Sequence, residues 1–368
     1  GRPGAQPRLT VPYLTAPEAL DQLLPDAPRY RVDQLREWLY RHPVLTPDAM
    51  TNLPLELRQS LTDRLWPMRV ETEQSGDGGR TVKWLFRAPD GAAVETVLMG
   101  YPRRTTLCIS SQAGCAMRCT FCATGQFGFE RQLVAGEIVA QVAYANAHLR
   151  AHPMPGCPPW VGNVVFMGMG EPLANYDNVR ESIRRMIEVM GMSARAITVS
   201  TVGVTPGIDR LAAEPWAVNL ALSLHAADDH LREQLVPLNR RYPIDELLDA
   251  ARRFRAGHGR RVTLEWTLME DVNDGPEHAR ALAVIAMELG AHVNIIALNP
   301  TPLAPQRRPS AERTRRFVEE VNRQGATCTL RDTRGTDIDA ACGQLRVESA
   351  TKRRERESPT IGTAEETS

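Results

Sequence analysis

The sequence predicts an α/β protein in which a full or partial (β/α) barrel follows a small helical module. From residue 104 onward, short apolar runs of strand type alternate with stretches that have the helical period. Residues 16–65 show the helical period alone, and two strand-like runs lie between these two regions. This order of elements predicts a parallel sheet with right-handed crossovers, preceded by a hairpin.

The first predicted unit is helical. Residues 1–15 carry turn formers without periodicity, so we expect a flexible N-terminus there. Further on, Val32, Leu35 and Leu39 share one stripe of a helix. We therefore expect residues 16–80 to form a helical accessory domain.

The second predicted unit is a β-hairpin over residues 81–103. Its two strand-like runs, residues 81–86 and 93–99, flank Pro89-Asp90-Gly91. A Pro-Asp-Gly sequence is typical of a tight turn, because Pro fixes φ and Gly accepts a positive φ. We expect this hairpin to link the accessory domain to the barrel.

The barrel domain is predicted to span residues 104–346. Its candidate strands are 105–111, 163–167, 196–201, 217–224, 261–269, 292–298 and 326–331, and its candidate helices are 133–150, 177–191, 207–213, 243–257, 276–289 and 310–324. In such an architecture the chemistry takes place at the C-terminal ends of the strands. Residues 347–368 have almost no apolar content, which predicts a disordered tail.

Composition describes an ordinary globular chain. Its 368 residues are 42% hydrophobic and 24% charged, with a formal net charge of zero. No apolar run approaches the 18 or so residues of a membrane helix, and the first residues lack the apolar core of a secretory signal. We therefore expect a cytoplasmic protein without membrane association. Of the 44 basic residues only Lys83 and Lys352 are lysines, a bias that GC-rich coding explains.

Three clustered cysteines are the most informative motif. Cys115, Cys119 and Cys122 have the spacing C-x3-C-x2-C directly after the first predicted barrel strand. A structural zinc site requires four ligands, and no fourth Cys or His lies nearby in the sequence. Three thiolates on one loop suit a [4Fe–4S] cluster with one open iron, which can bind S-adenosylmethionine (SAM). A zinc site or an accidental spacing is the alternative.

Other polar residues follow later strands. Gly170 and Glu171 end the second strand, where Gly permits close approach to a ligand and the carboxylate can pair with the SAM ammonium. Ser200, Ser223, His225 and Asn299 also lie at strand ends. Each of these four is a candidate SAM contact or, alternatively, a satisfied polar group of the core.

Several stretches resemble the RlmN family of dual-specificity RNA methyltransferases, which belong to the radical SAM enzymes. The resemblance covers residues 16–346. It is carried by the cysteine motif and by residues 107–115, 166–172, 200–203, 223–225 and 333–345. It implies a partial radical-SAM barrel, a [4Fe–4S] cluster and SAM as cofactors, and an accessory domain that binds RNA.

The resemblance also implies residue roles. Cys342 would become S-methylated, a radical formed on that methyl would add to C2 of adenine, and Cys108 would resolve the adduct as a disulfide. Glu95 would accept the C2 proton. Leu224 would join the SAM contacts. The implied partners are 23S rRNA, certain tRNAs and an external reductant such as flavodoxin, and we expect a monomer.

Two alternatives remain open at this stage. The sister family, Cfr, has the same core motifs and methylates C8 of adenine. A non-catalytic metal-binding RNA module would also explain the cysteine loop, although it would give no reason for Cys108 and Cys342.

Overall fold

The barrel strands form one open sheet. The computed structural model describes residues 11–301, 304–331 and 334–345. Within them the strands are β1 (Arg69–Gly76), β2 (Thr81–Arg87), β3 (Ala93–Tyr101), β4 (Arg104–Cys108), β5 (Gln112–Gly114), β6 (Phe129–Gln132), β7 (Asn163–Phe166), β8 (Ile197–Thr201), β9 (Asn219–Ser223), β10 (Val262–Leu268), β11 (His292–Ala297) and β12 (Thr327–Leu330). The order of the ten-stranded sheet is β1-β2-β3-β4-β7-β8-β9-β10-β11-β12.

The helices alternate with the parallel strands as expected. They are α1 (Arg29–Arg36), α2 (Leu55–Leu61), α3 (Ala123–Phe127), α4 (Ala135–Ala151), α5 (Tyr176–Arg184), α6 (Thr205–Ala212), α7 (Asp229–Leu235), α8 (Ile244–His258), α9 (Pro276–Leu289) and α10 (Ala311–Arg323). Strands β4 and β7 to β12 pair in parallel with one another, in that order. The predicted α/β class with a partial (β/α) barrel is therefore confirmed.

The predicted hairpin is part of the main sheet. Strands β2 and β3 pair antiparallel, and β3 continues into β4 in the same way. One more strand, β1, pairs with β2 inside the range assigned to the helical domain. Strand β1 was not predicted because it is an edge strand whose side chains are mostly exposed on both faces. Its sequence therefore lacks the alternation of apolar and polar residues that predicts a strand.

The N-terminal helical residues pack on α4. Leu20, Leu35 and Leu39 share a buried cluster with Val139 of α4, among others. The expected flexible N-terminus was wrong over residues 11–15, because Tyr13 is buried in the same cluster and donates a hydrogen bond to the Leu39 carbonyl (2.7 Å).

Two of the sequence expectations concern residues that the structure does not describe. Residues 1–10 of the expected flexible N-terminus and the expected disordered tail, 347–368, lie outside the described residues. Among the helices of the described part of the chain, none combines the length and the apolar character required to span a membrane.

Candidate active site

Two adjoining cavities occupy the interior of the barrel. The upper cavity lies at the C-terminal ends of the strands, and its walls include Cys115, Cys119, Cys122, Gly170, Glu171, Ser200, Ser223 and His225. The inner cavity, of about 580 Å³, extends towards the opposite ends of the strands, and its walls include Cys108, Asn299 and Arg331. Cys342 and Glu265 belong to the walls of both cavities.

Local backbone geometry sets the path of the cysteine loop. The short antiparallel pair β5–β6 closes its base, and the Cys115 N–H donates to the Gly128 carbonyl (2.8 Å). Between Cys115 and Cys119, Arg118 has a φ of +56°, which turns the chain sharply. Cys122 is the N-cap residue immediately before α3. All three thiols consequently face the upper cavity.

The donor set of this loop fits a cluster better than a single ion. Burial raises the pKa of the Cys115 thiol to about 12 and that of Cys119 well above its ordinary value, so thiolates there require a positive partner. Tetrahedral zinc places its sulfurs roughly 4 Å apart. Among the described residues, no three His, Cys, Asp or Glu side chains are arranged to hold one metal ion. A multi-iron cluster separates its thiolates more widely.

Gly170 and Glu171 form the adjoining wall. The φ of Gly170 is +101°, and a Cβ there would lie 2.6 Å from the Cβ of Gln112, so only glycine fits. The Glu171 carboxylate is 2% exposed and accepts hydrogen bonds from the N–H groups of Leu173 (3.1 Å) and Val202 (2.9 Å). Burial raises its pKa to about 7. These bonds fix the carboxylate as an acceptor for a cationic group.

Ser200, Ser223 and His225 complete the polar wall. The two serine Oγ atoms are 3.5 Å apart at the ends of β8 and β9. His225 has a φ of +62°, and its Nδ1 accepts a hydrogen bond from the Thr267 N–H (3.0 Å). Burial lowers the pKa of His225 to about 3, so the ring is neutral and its proton lies on Nε2. His225 is therefore a hydrogen-bond donor in the cavity wall.

Two residues expected to contact SAM do not line the upper cavity. The Leu224 side chain is packed in the hydrophobic core and does not contribute to either cavity wall. Asn299 belongs to the inner cavity, where its Nδ2 donates to the Cys342 carbonyl (3.0 Å) and its Oδ1 accepts from Arg308 (3.1 Å). The amide of Asn299 thus holds the backbone of Cys342 in this structure.

The structure brings Cys108 and Cys342 to the same cavity. Cys108 ends β4 and is largely buried, and burial together with the nearby Cys342 raises its pKa. Cys342 has exposed surface, yet burial raises its pKa as well. Both observations are explained if its exposed surface faces the two cavities that it lines. Cys342 is accessible from both cavities and Cys108 from the inner one.

Glu95 contributes to neither cavity wall. It lies on the same face of β3 as Met99 and Tyr101, which do line the inner cavity. Its Oε1 lies 3.0 Å from the Lys83 ammonium, and the side chains of this ion pair are 8% and 9% exposed. The expected proton acceptor is therefore a buried, ion-paired carboxylate beside the cavity.

Sequence reasoning missed Arg232, which supports the SAM side of the site. Its guanidinium is completely buried and donates to the carbonyls of Val202 (2.7 Å) and Leu224 (3.0 Å) and to the Asn239 side chain (2.7 Å). Burial lowers its pKa to about 10. Arg232 lies three residues before Leu235, on the buried face of α7. This spacing was the sequence feature that could have indicated a buried arginine.

A partly buried ion pair in the inner cavity was also missed. Arg331 Nη1 lies 3.2 Å from Glu265 Oε2, and Asn294 donates to the other carboxylate oxygen (2.8 Å). Further arginines in this wall are Arg104, Arg261 and Arg334. The one charged residue of strand β10, a glutamate among largely buried neighbours, was the available signal.

Comparisons with known proteins identify the family of this chain. The Radical SAM superfamily model matches residues 109–283. The chain is 48% identical over 324 residues to a probable dual-specificity RNA methyltransferase RlmN of Salinispora tropica, covering 86% of this chain and 87% of the relative. It is 49% identical over 327 residues to the protein of the same description from Chloroflexus aurantiacus, with coverage of 86% and 87%.

A solved structure is similar over nearly the whole fold. The crystal structure of a radical SAM methyltransferase from Sphaerobacter thermophilus matches with a TM-score of 0.86 and 49% identity, covering 92% of this chain and 99% of that chain. The chain therefore belongs to the RlmN family of dual-specificity RNA methyltransferases within the radical SAM superfamily, whose cofactors are a [4Fe–4S] cluster and S-adenosylmethionine.

Proposed function

We propose that this enzyme methylates C2 of an adenosine in 23S rRNA and in certain tRNAs, using two SAM molecules and a methyl group carried on Cys342. One observation carries the proposal. Cys342 lies in the wall shared by the two cavities, and Cys108 lines the inner cavity with it. A thiol in this position can receive a methyl group in the upper cavity and present it to a base in the inner cavity.

The cofactor-binding residues follow from the upper cavity. Cys115, Cys119 and Cys122 would hold the cluster and leave one iron for SAM. Glu171 is the acceptor for the SAM ammonium, and the Nε2–H of His225 is an additional donor. When bound, the cluster and SAM supply a methyl group and, from a second SAM, a radical that removes hydrogen from the S-methyl group. Gly170, Ser200 and Ser223, with the backbone of Leu224, complete the proposed SAM contacts.

The two cysteines act in sequence. Adenine C2 is electron-poor, so a methyl carried by a thiol and activated as a carbon radical reaches it where direct SAM transfer does not. After the carbon has bonded to C2, Glu95 removes the C2 proton. The Cys108 sulfur then attacks the Cys342 sulfur. The S–S bond forms as the C–S bond breaks, and the C–S electron pair and the thiol proton of Cys108 complete the product methyl group. The unpaired electron that the carbon radical brings to the adduct has to leave to a one-electron acceptor, and the oxidised iron–sulfur cluster would serve as that acceptor.

The inner cavity supports an RNA substrate. Its volume of about 580 Å³ is within the range of ligand pockets. Arg104, Arg261, Arg331 and Arg334 line it against one acidic residue, Glu265, although the whole chain is neutral. Guanidinium groups bind phosphate and stack on bases. We further propose that residues 16–80 contribute to RNA binding, that an external reductant such as flavodoxin supplies electrons, and that the enzyme acts as a monomer in the cytoplasm.

The test separates the two cysteines. Cys342→Ala should keep the cluster and form no methylated RNA, because no thiol can carry the methyl. Cys108→Ala should form the adduct and fail to resolve it, so a protein–RNA species stable to denaturation should accumulate and map to the peptide containing Cys342. Cys328→Ala, a change at a buried cysteine outside both cavities, should behave as wild type.

The readouts are mass spectrometry of the peptides and mapping of the methylated carbon. Normal turnover by Cys108→Ala, or inactivity of both variants without a cross-link, would refute the division of roles. Methylation at C8 would leave the cysteine roles intact and replace the C2 assignment.

A further inference from the structure

Lys83 occupies an unusual position. Its ammonium is buried between the Glu95 carboxylate (Nζ–Oε1, 3.0 Å) and the backbone carbonyl of Asp339 (Nζ–O, 3.3 Å). Lys83 and Glu95 lie on the same face of the β2–β3 hairpin, and Asp339 lies only three residues before Cys342. A single side chain therefore joins the proposed proton acceptor to the backbone that carries the proposed methyl acceptor.

The segment 334–345, called here the Cys342 segment, is attached near its start and again from Cys342 onward. Near its start, the Gly335 N–H donates to Asp77 (2.9 Å), and Asp337 accepts from the Asp77 N–H (3.2 Å). From Cys342 onward, the Cys342 carbonyl accepts from the Asn299 amide (3.0 Å), and the Gly343 carbonyl accepts from the Ala123 N–H (2.8 Å). The bond from Lys83 falls between these two attachments.

Backbone strain makes this middle attachment important. Asp339 has a φ of +50°, in the left-handed region that a residue with a Cβ adopts at a cost. Such a conformation persists where surrounding contacts determine it. The ammonium of Lys83 binds the carbonyl of this same residue.

The residue type fits the geometry. The chain uses lysine at only two of its 44 basic positions. An ammonium is a compact charge with three rotatable donors, so it can reach a carboxylate and a carbonyl in different directions, whereas a guanidinium fork favours planar, paired acceptors. Lysine is therefore the basic residue suited to this buried gap.

We propose that Lys83 is a positioning residue that couples Glu95 to the Cys342 segment. While Glu95 is a carboxylate, it holds the ammonium in place and the ammonium holds the Asp339 carbonyl. When Glu95 takes the C2 proton, this ion pair is lost and the hold on the segment weakens, which frees Cys342 to meet Cys108. The roles of Glu95, Cys342 and Cys108 in this inference rest on the proposed function.

The test measures how accessible Cys342 is, independently of turnover. Anaerobically purified holoenzyme without SAM or RNA is treated with iodoacetamide, and the alkylation rate of the Cys342 peptide is followed by mass spectrometry. Lys83→Met should raise this rate at least about tenfold, the equivalent of losing one hydrogen bond to a charged group. Glu95→Gln, which imitates the protonated acid, should raise it in the same direction, and the double variant should add little further.

The controls separate local release from unfolding. Lys352→Met makes the same change at the other lysine, outside the described residues, and should leave the rate unchanged. Alkylation of the buried Cys328 reports general loosening of the fold and should stay slow in every variant. Lys83→Arg keeps the charge and should restore part of the protection of Cys342.

The outcomes distinguish this inference from the proposed function. Wild-type alkylation of Cys342 in Lys83→Met and in Glu95→Gln would overturn the coupling, even if the enzyme methylates RNA as proposed. If Lys83→Met exposes Cys328 as well, Glu95→Gln decides, because it retains the size of the side chain. Faster alkylation of Cys342 in an enzyme that proved to methylate another carbon would support the coupling and refute only the C2 assignment.

Discussion

Replacement of Arg232 by Met tests whether one buried cation organises the SAM side of the site. The arginine links the loop after β8, through the Val202 carbonyl, to the end of β9, through the Leu224 carbonyl. Methionine has a similar length and no donors. The variant therefore keeps most of the packing and removes the hydrogen bonds.

The structure gives the expected size of the effect. Arg232 Nη2 and Nε donate to two buried carbonyls, and Nη1 donates to the Asn239 side chain. Each buried acceptor left without its partner costs about 1–3 kcal/mol. The variant no longer carries the free-energy cost of burying a charged guanidinium, and this gain offsets part of the sum. We expect a net loss of about 3–5 kcal/mol in the free energy of unfolding, which is roughly 10 °C in Tm for a domain of this size.

The assay is thermal and denaturant unfolding of the holoenzyme, with SAM affinity measured by equilibrium dialysis. The matched control is Arg240→Met, because Arg240 is 74% exposed and pairs with Glu233 at the surface. An exposed pair of this kind contributes less than about 1 kcal/mol. Arg232→Met should weaken SAM binding as well, since the loops that carry Ser223 and His225 lose their support. Equal stability of the two variants would refute this account of Arg232.

Two further predictions concern the cluster and the pH dependence of stability. Cys119→Ala should purify without the absorbance of an iron–sulfur cluster, whereas Cys328→Ala should retain it; a normal iron content in Cys119→Ala would remove Cys119 from the ligand set. Burial lowers the pKa of His148, although the nearby Glu73 opposes the shift, so the unfolded chain binds a proton that the folded chain does not. Stability should therefore fall as pH decreases below about 6.5, and a Tm profile between pH 5 and 7 that is as steep in His148→Gln as in wild type would contradict this.

The structure decides how RNA binding by the helical module can be tested. Strand β3 pairs with β4 of the barrel, and the N-terminal helices share a core with α4. Removal of residues 16–100 would therefore expose both the barrel edge and the face of α4. Point substitutions on the surface of the helical module are the suitable test of its RNA binding.

The sequence by itself determined the repeating architecture. Helix α9 begins and ends at the predicted residues, 276 and 289. Strand β10 is one residue shorter than its predicted range at each end, and β11 is one residue shorter at its C-terminal end. Helical and strand periods are local properties, so a window of about ten residues contains the information. The cysteine loop could also be identified from the sequence, because its three thiols lie within eight consecutive residues.

The tertiary structure alone decided how the site is supported. Lys83 and Asp339 are separated by 256 positions in the sequence, yet their side chain and carbonyl are hydrogen-bonded. Cys108 and Cys342 are also far apart in the sequence, and the fold places both in the wall of the inner cavity. GC-rich coding explains the scarcity of lysine in the composition, so the sequence gave no reason to single out Lys83. Contacts over such separations depend on the path of the whole chain, and a local hydrophobic period contains no information about that path. The sequence could therefore predict which helices and strands form. The tertiary structure decides which side chains these elements bring together.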